Sequence, residues 1–142
     1  MIWLDSSWLV KLYVEEDDSA EVRAAVDGAG SVLVSEVAYV EFHAAVARRR
    51  RDGSLSGRSA GALIRRFRRD WPDRHRVTVS EEVVGRAADL LLAHPLRSLD
   101  AIQLASALLA ATGAPEPLRF GAADVRLLAA ARAEGLDLLL AR

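Results

Sequence analysis

Four carboxylates in this 142-residue chain stand where an ionised group is hard to place. Asp5 closes the apolar run Ile2–Leu4, and Glu41 falls in the row Val37, Val40, Glu41, Ala44. Asp100 shares a row with Leu104, Ala107, Leu108 and Ala111, and Asp124 shares a face with Leu127, Leu128 and Ala131. An ionised carboxylate aimed at a core is costly unless it is paired or bound to a cation. None of the four has a basic residue three or four positions away on its own helical face, so a divalent cation is the simplest partner. Cysteine is absent and the three histidines (His43, His75, His94) are scattered, so any metal would be held by oxygen, which selects Mg2+ or Mn2+. The competing reading makes each acid a helix cap or the partner of a distant arginine. The run Glu15, Glu16, Asp17, Asp18 is solvated, and Glu36, Glu81 and Glu82 suit first helical turns.

Charge is segregated. Residues 48–76 hold eleven arginines against three aspartates, a net of +8, while the rest of the chain holds eight basic and seventeen acidic groups, a net of −9. Lys11 is the only lysine. A basic side on an acidic body suits a polyanion, and two solvated helix faces would look the same.

Short apolar runs alternate with helical patterns. Strands are expected at Ile2–Leu4, Val32–Val34, Arg76–Val79, Leu118–Gly121 and Leu136–Leu140. Between them, Ser6 and Ser7 cap a helix carrying Trp8, Leu9, Leu12 and Tyr13, and a short helix spans Ser19–Val26. Ser35 caps a long helix to Arg51, and Ser56–Asp70 is helical until Trp71-Pro72-Asp73 stops it. Helices follow from Ser80 to Ala93, Ser98 to Thr112 and Asp124 to Ala133. Strands alternating with helices imply a parallel sheet of about five strands covered on both faces. One α/β domain over residues 1–142 is expected, with the Arg-rich helical hairpin of residues 48–76 inside it. No apolar run approaches the roughly 20 residues of a membrane span, and the start does not read as a signal peptide. The expected setting is the cytoplasm.

Four segments carry a resemblance. Leu4-Asp5-Ser6-Ser7, Val34-Ser35-Glu36-Val37-Ala38-Tyr39-Val40-Glu41-Phe42, Leu99-Asp100-Ala101-Ile102-Gln103-Leu104-Ala105 and Phe120-Gly121-Ala122-Ala123-Asp124-Val125-Arg126-Leu127, in this order, resemble the PIN-domain family. Asp5-Ser6-Ser7 followed by Leu9-Val10-Lys11-Leu12-Tyr13 is similar to its VapC-type toxin branch. The resemblance implies a Mg2+-dependent endoribonuclease, usually a homodimer, held inactive by a cognate antitoxin, with Asp5, Glu41, Asp100 and Asp124 as the acidic catalytic set. The family often has Ser or Thr two residues before the last acid, where this chain has Ala122.

Further expectations follow. Metal held by these carboxylates would lower the pKa of an attacking water and neutralise a phosphodiester. Ser6 reaches the site through its hydroxyl or amide, or it caps the helix. Arg48, Arg49, Arg65, Arg68 and Arg69 are candidates for binding RNA, with a dimer or antitoxin contact as the rival use of that face. A basic antitoxin peptide would block the acidic pocket by lying over the surface near Trp8 and Tyr13. Gly57-Arg58-Ser59-Ala60-Gly61 matches the nucleophile-elbow pattern but sits inside the Arg-rich hairpin without the strand that motif requires. Two rival functions remain: a nucleic-acid-processing nuclease without an antitoxin, and a non-catalytic nucleic-acid-binding module.

Overall fold

The computed structural model describes residues 1–140. In chain order these form β1 (Ile2–Leu4), α1 (Ser6–Lys11), α2 (Ser19–Asp27), β2 (Val32–Ser35), α3 (Ala38–Arg51) and α4 (Gly57–Asp70). A 3-10 turn at Trp71–Asp73 leads to β3 (His75–Val77), α5 (Glu81–Ala93), α6 (Ser98–Thr112), β4 (Arg119–Gly121), α7 (Val125–Ala133) and β5 (Asp137–Leu138). The strands make one sheet in the order β3-β2-β1-β4-β5, with every neighbouring pair parallel. The α/β class and the five-strand parallel sheet agree with the sequence reading.

Side chains alternate across a strand, and β1 shows how the two faces are built. Trp3 points into a core made with Val83, Leu90, Leu104, Phe120 and Leu127, under α5, α6 and α7. Ile2 and Leu4 point the other way, into a core made with Leu9, Val34, Phe42 and Phe67, under α1 to α4. In that second core the Phe42 and Phe67 rings stack 3.9 Å apart with planes 4° from parallel, and Tyr13 meets both edge-on. Contacts of this kind contribute about 0.5–1.5 kcal/mol each beyond burial. They fix the α3–α4 hairpin against α1.

From β1 the chain moves outward through β2 and β3, then returns to place β4 on the opposite side of β1. The crevice beyond the carboxyl ends of β1 and β4 is therefore the topological switch point, where open parallel sheets bind ligands. The two ends are pinned together by the Asp5 N–H donating to Gly121 O at 2.9 Å. A Cβ at Gly121 would lie 2.6 Å from the Trp8 ring, so glycine is what lets α1 pack over the end of β4.

Several local expectations are corrected. Asp5, not Ser6 or Ser7, caps α1, its carboxylate accepting from the Ser7 and Trp8 amides. The α3 helix begins at Ala38 rather than after Ser35, because Ser35 completes β2 and Glu36 and Val37 form the turn. Its buried stripe is Ala38, Phe42 and Val46, and Val40 is 69% exposed, so the row Val37, Val40, Glu41, Ala44 is not the core face. Trp8 and Tyr13 are core residues, so their rings themselves offer a partner peptide little surface. The third strand starts at His75 rather than Arg76, and β5 is shorter than Leu136–Leu140.

Candidate active site

A cleft of about 700 Å3 opens at the switch point, and Asp5, Glu41, Asp100 and Asp124 all line it. Each arrives from a different element. Asp5 ends β1 and caps α1; Glu41 lies in the first turns of α3. Asp100 lies in the first turn of α6, and Asp124 caps α7. All four thus sit at the cap or in the first turn of a helix, where backbone N–H groups favour a negative charge. The capping role and the place in the cleft coexist at Asp5 and Asp124. They do not compete.

Asp5 is the most constrained of the set. Its side chain is buried, and its Oδ1 accepts from Ser7 N at 2.9 Å, Trp8 N at 3.1 Å and the Ser7 hydroxyl. Among the described residues, none donates to Oδ2. Burial raises its pKa from 3.8 to about 7 against the pull of those hydrogen bonds, and the Glu41 charge adds to the rise. A carboxyl in that condition is stable either protonated or beside a cation.

Asp100 also has a raised pKa, from burial first and then from the neighbouring Asp124 charge. The Arg97 amide and guanidinium and the Arg126 guanidinium oppose the rise. At Asp124 burial again works upward, but the Arg126 and Leu127 amides and the Arg126 guanidinium outweigh it and hold the carboxyl below its usual value. Arg126 Nη2 lies 3.7 Å from Asp124 Oδ2. The expectation that all four acids lack local counter-charges is therefore corrected for Asp100 and Asp124. An ion pair this exposed is weak, because water screens it.

Glu41 is held from behind. Its Oε2 accepts from the Ser6 hydroxyl and from Gln103 Nε2 at 2.8 Å, and Gln103 Nε2 also donates to Ser6 Oγ at 2.7 Å. Ser6 thus points its hydroxyl into the cleft wall and leaves the capping of α1 to Asp5. Ser7 ties the site to β4: its hydroxyl donates to Asp5 and accepts from Ala123 N at 3.0 Å. Ala122 is packed in the core, so the hydroxyl that joins this edge comes from α1.

The donors are all carboxylate oxygens, and buried Asp5 offers an oxygen without a protein donor. That chemistry fits a hard divalent cation. Among the described residues, no three of the Asp, Glu and His side chains are gathered closely enough to share one ion. The acids instead influence each other in pairs, Asp5 with Glu41 and Asp100 with Asp124.

The arginines divide. Arg48 and Arg49 line the cleft, joined by Arg97, which the sequence reading did not single out. Arg49 pairs with Glu16, which also lies 3.5 Å from Lys11 Nζ. Arg65 and Arg68 instead line a groove between α3 and α4, and Arg69 bonds Asp70 at 3.0 Å.

A family model of the PIN domain matches residues 2–114, the stretch from β1 to just past α6. The chain belongs to the PIN-domain family. Its curated relatives place it in the VapC branch. Two proteins of Mycobacterium tuberculosis, Ribonuclease VapC45 of strain CDC 1551 / Oshkosh and Ribonuclease VapC49 of strain H37Rv, are each 35% identical over 108 residues, covering 76% of this chain and 75% of theirs. This PIN domain also superposes on solved structures. FitAcB from Neisseria gonorrhoeae has a TM-score of 0.69 at 17% identity, covering 97% of this chain and 96% of that one. VapC20 from M. tuberculosis, described as a sarcin–ricin-loop-cleaving toxin, has a TM-score of 0.67 at 18% identity, covering 92% and 95%. A toxin–antitoxin complex from Klebsiella pneumoniae has the same TM-score at 16% identity over 91% of each chain. Asp5, Glu41 and Asp100 lie within the stretch matched to the PIN domain; Asp124 lies beyond it.

Proposed function

We propose that this chain is a Mg2+-dependent endoribonuclease, with Mn2+ able to substitute, and that it is the toxin of a toxin–antitoxin pair. The observation that carries the metal reading is Asp5: a buried carboxyl at the switch point, bonded through one oxygen, with its other oxygen left to the cleft. Asp5 and Asp100 are assigned as direct ligands, with Asp124 next and Glu41 as ligand or holder of water. Bound there, the cation supplies Lewis-acid activation of water and neutralises the charge that gathers on the phosphate and the leaving oxygen. The protein residues bring the substrate and keep it aligned. Arg48, Arg49 and Arg97 offer the positive charge that draws an RNA backbone to an otherwise acidic cleft. Asp124 and Asp100, at the starts of α7 and α6, line the same cleft, with Arg97 beside Asp100.

The VapC relatives are named as ribonucleases, and one solved neighbour is described as a toxin–antitoxin complex; these names support an RNA substrate and an antitoxin partner here. A basic segment of that partner would block the acidic cleft by charge. A homodimer is part of the same proposal. Among the described residues, no helix is long and apolar enough to cross a membrane. A cytoplasmic site of action fits the proposed substrate.

Expression of the wild-type chain alone should arrest growth, co-expression with an adjacent small gene should restore it, and Asp5→Asn should be harmless. Normal growth at confirmed expression of folded wild-type protein contradicts the toxin reading. RNA cleavage by that same protein with no effect on growth would favour the processing nuclease.

A further inference from the structure

Gln103 sits on α6 three residues beyond Asp100, a spacing that puts the two on neighbouring turns of one helix face. Its side chain is 1% exposed. The amide nitrogen donates to Ser6 Oγ at 2.7 Å and to Glu41 Oε2 at 2.8 Å. The Ser6 hydroxyl, having accepted from Gln103, donates its single hydrogen to the same Glu41 oxygen. One amide thereby links α6, α1 and α3 at one carboxylate oxygen. The other end of that amide behaves differently: among the described residues Gln103 Oε1 has no hydrogen-bond partner, and it is buried.

A buried amide with an unpartnered carbonyl is unfavourable for folding compared with an apolar side chain of similar shape. Packing alone does not explain Gln at this position. Orientation of Glu41 does. Two donors converge on Oε2, so swinging the carboxylate away would leave the Ser6 hydroxyl and one of the two Gln103 N–H groups without an acceptor. Among the described residues, nothing donates to Oε1, which is therefore available to the cleft.

We propose that Gln103 is a positioning residue for RNA cleavage, acting with Ser6 to hold Glu41 with Oε2 turned into the protein and Oε1 presented to the cleft. The proposal rests on the assignment of Glu41 to the carboxylate set. A purely structural network would make a different prediction, because stability and activity would then fall together.

The test is Gln103→Met, which keeps the volume and removes the amide, measured in the full chain with single-stranded RNA. The melting temperature in EDTA should equal or exceed that of the wild type. In Mg2+, kcat should fall about 10- to 100-fold, the range for losing a partner that orients a metal-binding side chain, while KM stays within about twofold. Ser6→Ala should lower kcat by a smaller factor. Because both act through one oxygen, the double variant should lose less than the product of the two single losses. Unchanged kcat in Gln103→Met overturns the proposal. So does a lower melting temperature or failure to fold, since either makes the amide a structural element. Glu41→Gln separates the two readings. If it is fully active, the assignment of Glu41 fails; if it is inactive while Gln103→Met is fully active, only the inference about Gln103 fails.

Discussion

Asp5→Asn should stabilise the metal-free protein while abolishing its activity. In the folded chain Asp5 holds its proton up to about pH 7, whereas the unfolded chain releases it near 3.8. The folded state therefore binds more protons than the unfolded state between those values, and stability falls as pH rises through that window. The contribution is fully present below about pH 4 and lost above about pH 7. At about 1.4 kcal/mol per pH unit, the loss reaches about 4 kcal/mol. Asparagine does not ionise, yet it still accepts from the Ser7 and Trp8 amides as a helix cap. In EDTA at pH 8 the variant should then melt above the wild type by as much as about 8–16 °C, at 2–4 °C per kcal/mol for a chain of this size. At pH 4 the two should converge. Adding Mg2+ at pH 8 should raise the wild-type melting temperature and leave the variant unmoved. Thermal scans at the two pH values, with and without metal, decide the matter. A variant no more stable than the wild type at pH 8, or shifted equally at both pH values, refutes the reasoning about Asp5.

Three further outcomes follow from the packing and the charge. Gly121→Ala should cost about 1–3 kcal/mol, since the new Cβ meets the Trp8 ring at 2.6 Å; urea unfolding measures it, and no change in midpoint would contradict the close approach. Phe67→Ala removes the ring stacked on Phe42 and should cost about 3–5 kcal/mol by the same assay, with the α3–α4 hairpin loosening first in hydrogen exchange. Arg48→Gln with Arg49→Gln should weaken RNA binding and flatten its logarithmic salt dependence by about 1.4, from about 0.7 per phosphate contact, whereas Arg65, Arg68 and Arg69 changed together should alter that slope less. Equal slopes for the two sets would remove the cleft arginines from the RNA path.

The fold was legible because alternation of apolar runs with capped helices needs no long-range information. Ser80 caps α5 as the sequence suggests, Ser56, read as the first residue of its helix, caps α4 instead, and Trp71-Pro72-Asp73 stops α4. The misreadings have local physical causes. Asp5, Ser6 and Ser7 are three consecutive residues able to cap a helix, and only the geometry at the end of β1 selects Asp5. The stripe of α3 was misassigned because Val40 is apolar but solvent-facing and Val37 precedes the helix as its N-cap, while the aromatic contacts of Phe42 set the true core face. Asp5, Asp100 and Asp124 stand out by position at strand or helix ends, whereas Glu41 was picked from a row that is not the core face, although it lines the same cleft. The local counter-charges could not be singled out, because Arg97 and Arg126 flank helix starts, where the i to i+4 spacing rule does not reach. Gln103 was visible as the one amide in the apolar run 101–111, but its partners Ser6 and Glu41 lie 97 and 62 residues away. Only the folded chain brings them together.

The central proposal is that these carboxylates would hold a divalent cation on which cleavage of RNA by this chain depends. Its most direct test is cleavage of a single-stranded RNA by the purified full chain, with Mg2+ titrated against EDTA and Asp100→Asn run in parallel. The account predicts cleavage that rises with Mg2+, stops in excess EDTA, returns when Mg2+ or Mn2+ is restored, and is absent from Asp100→Asn at every metal concentration. Undiminished cleavage in EDTA, or wild-type rates from Asp100→Asn, would contradict it.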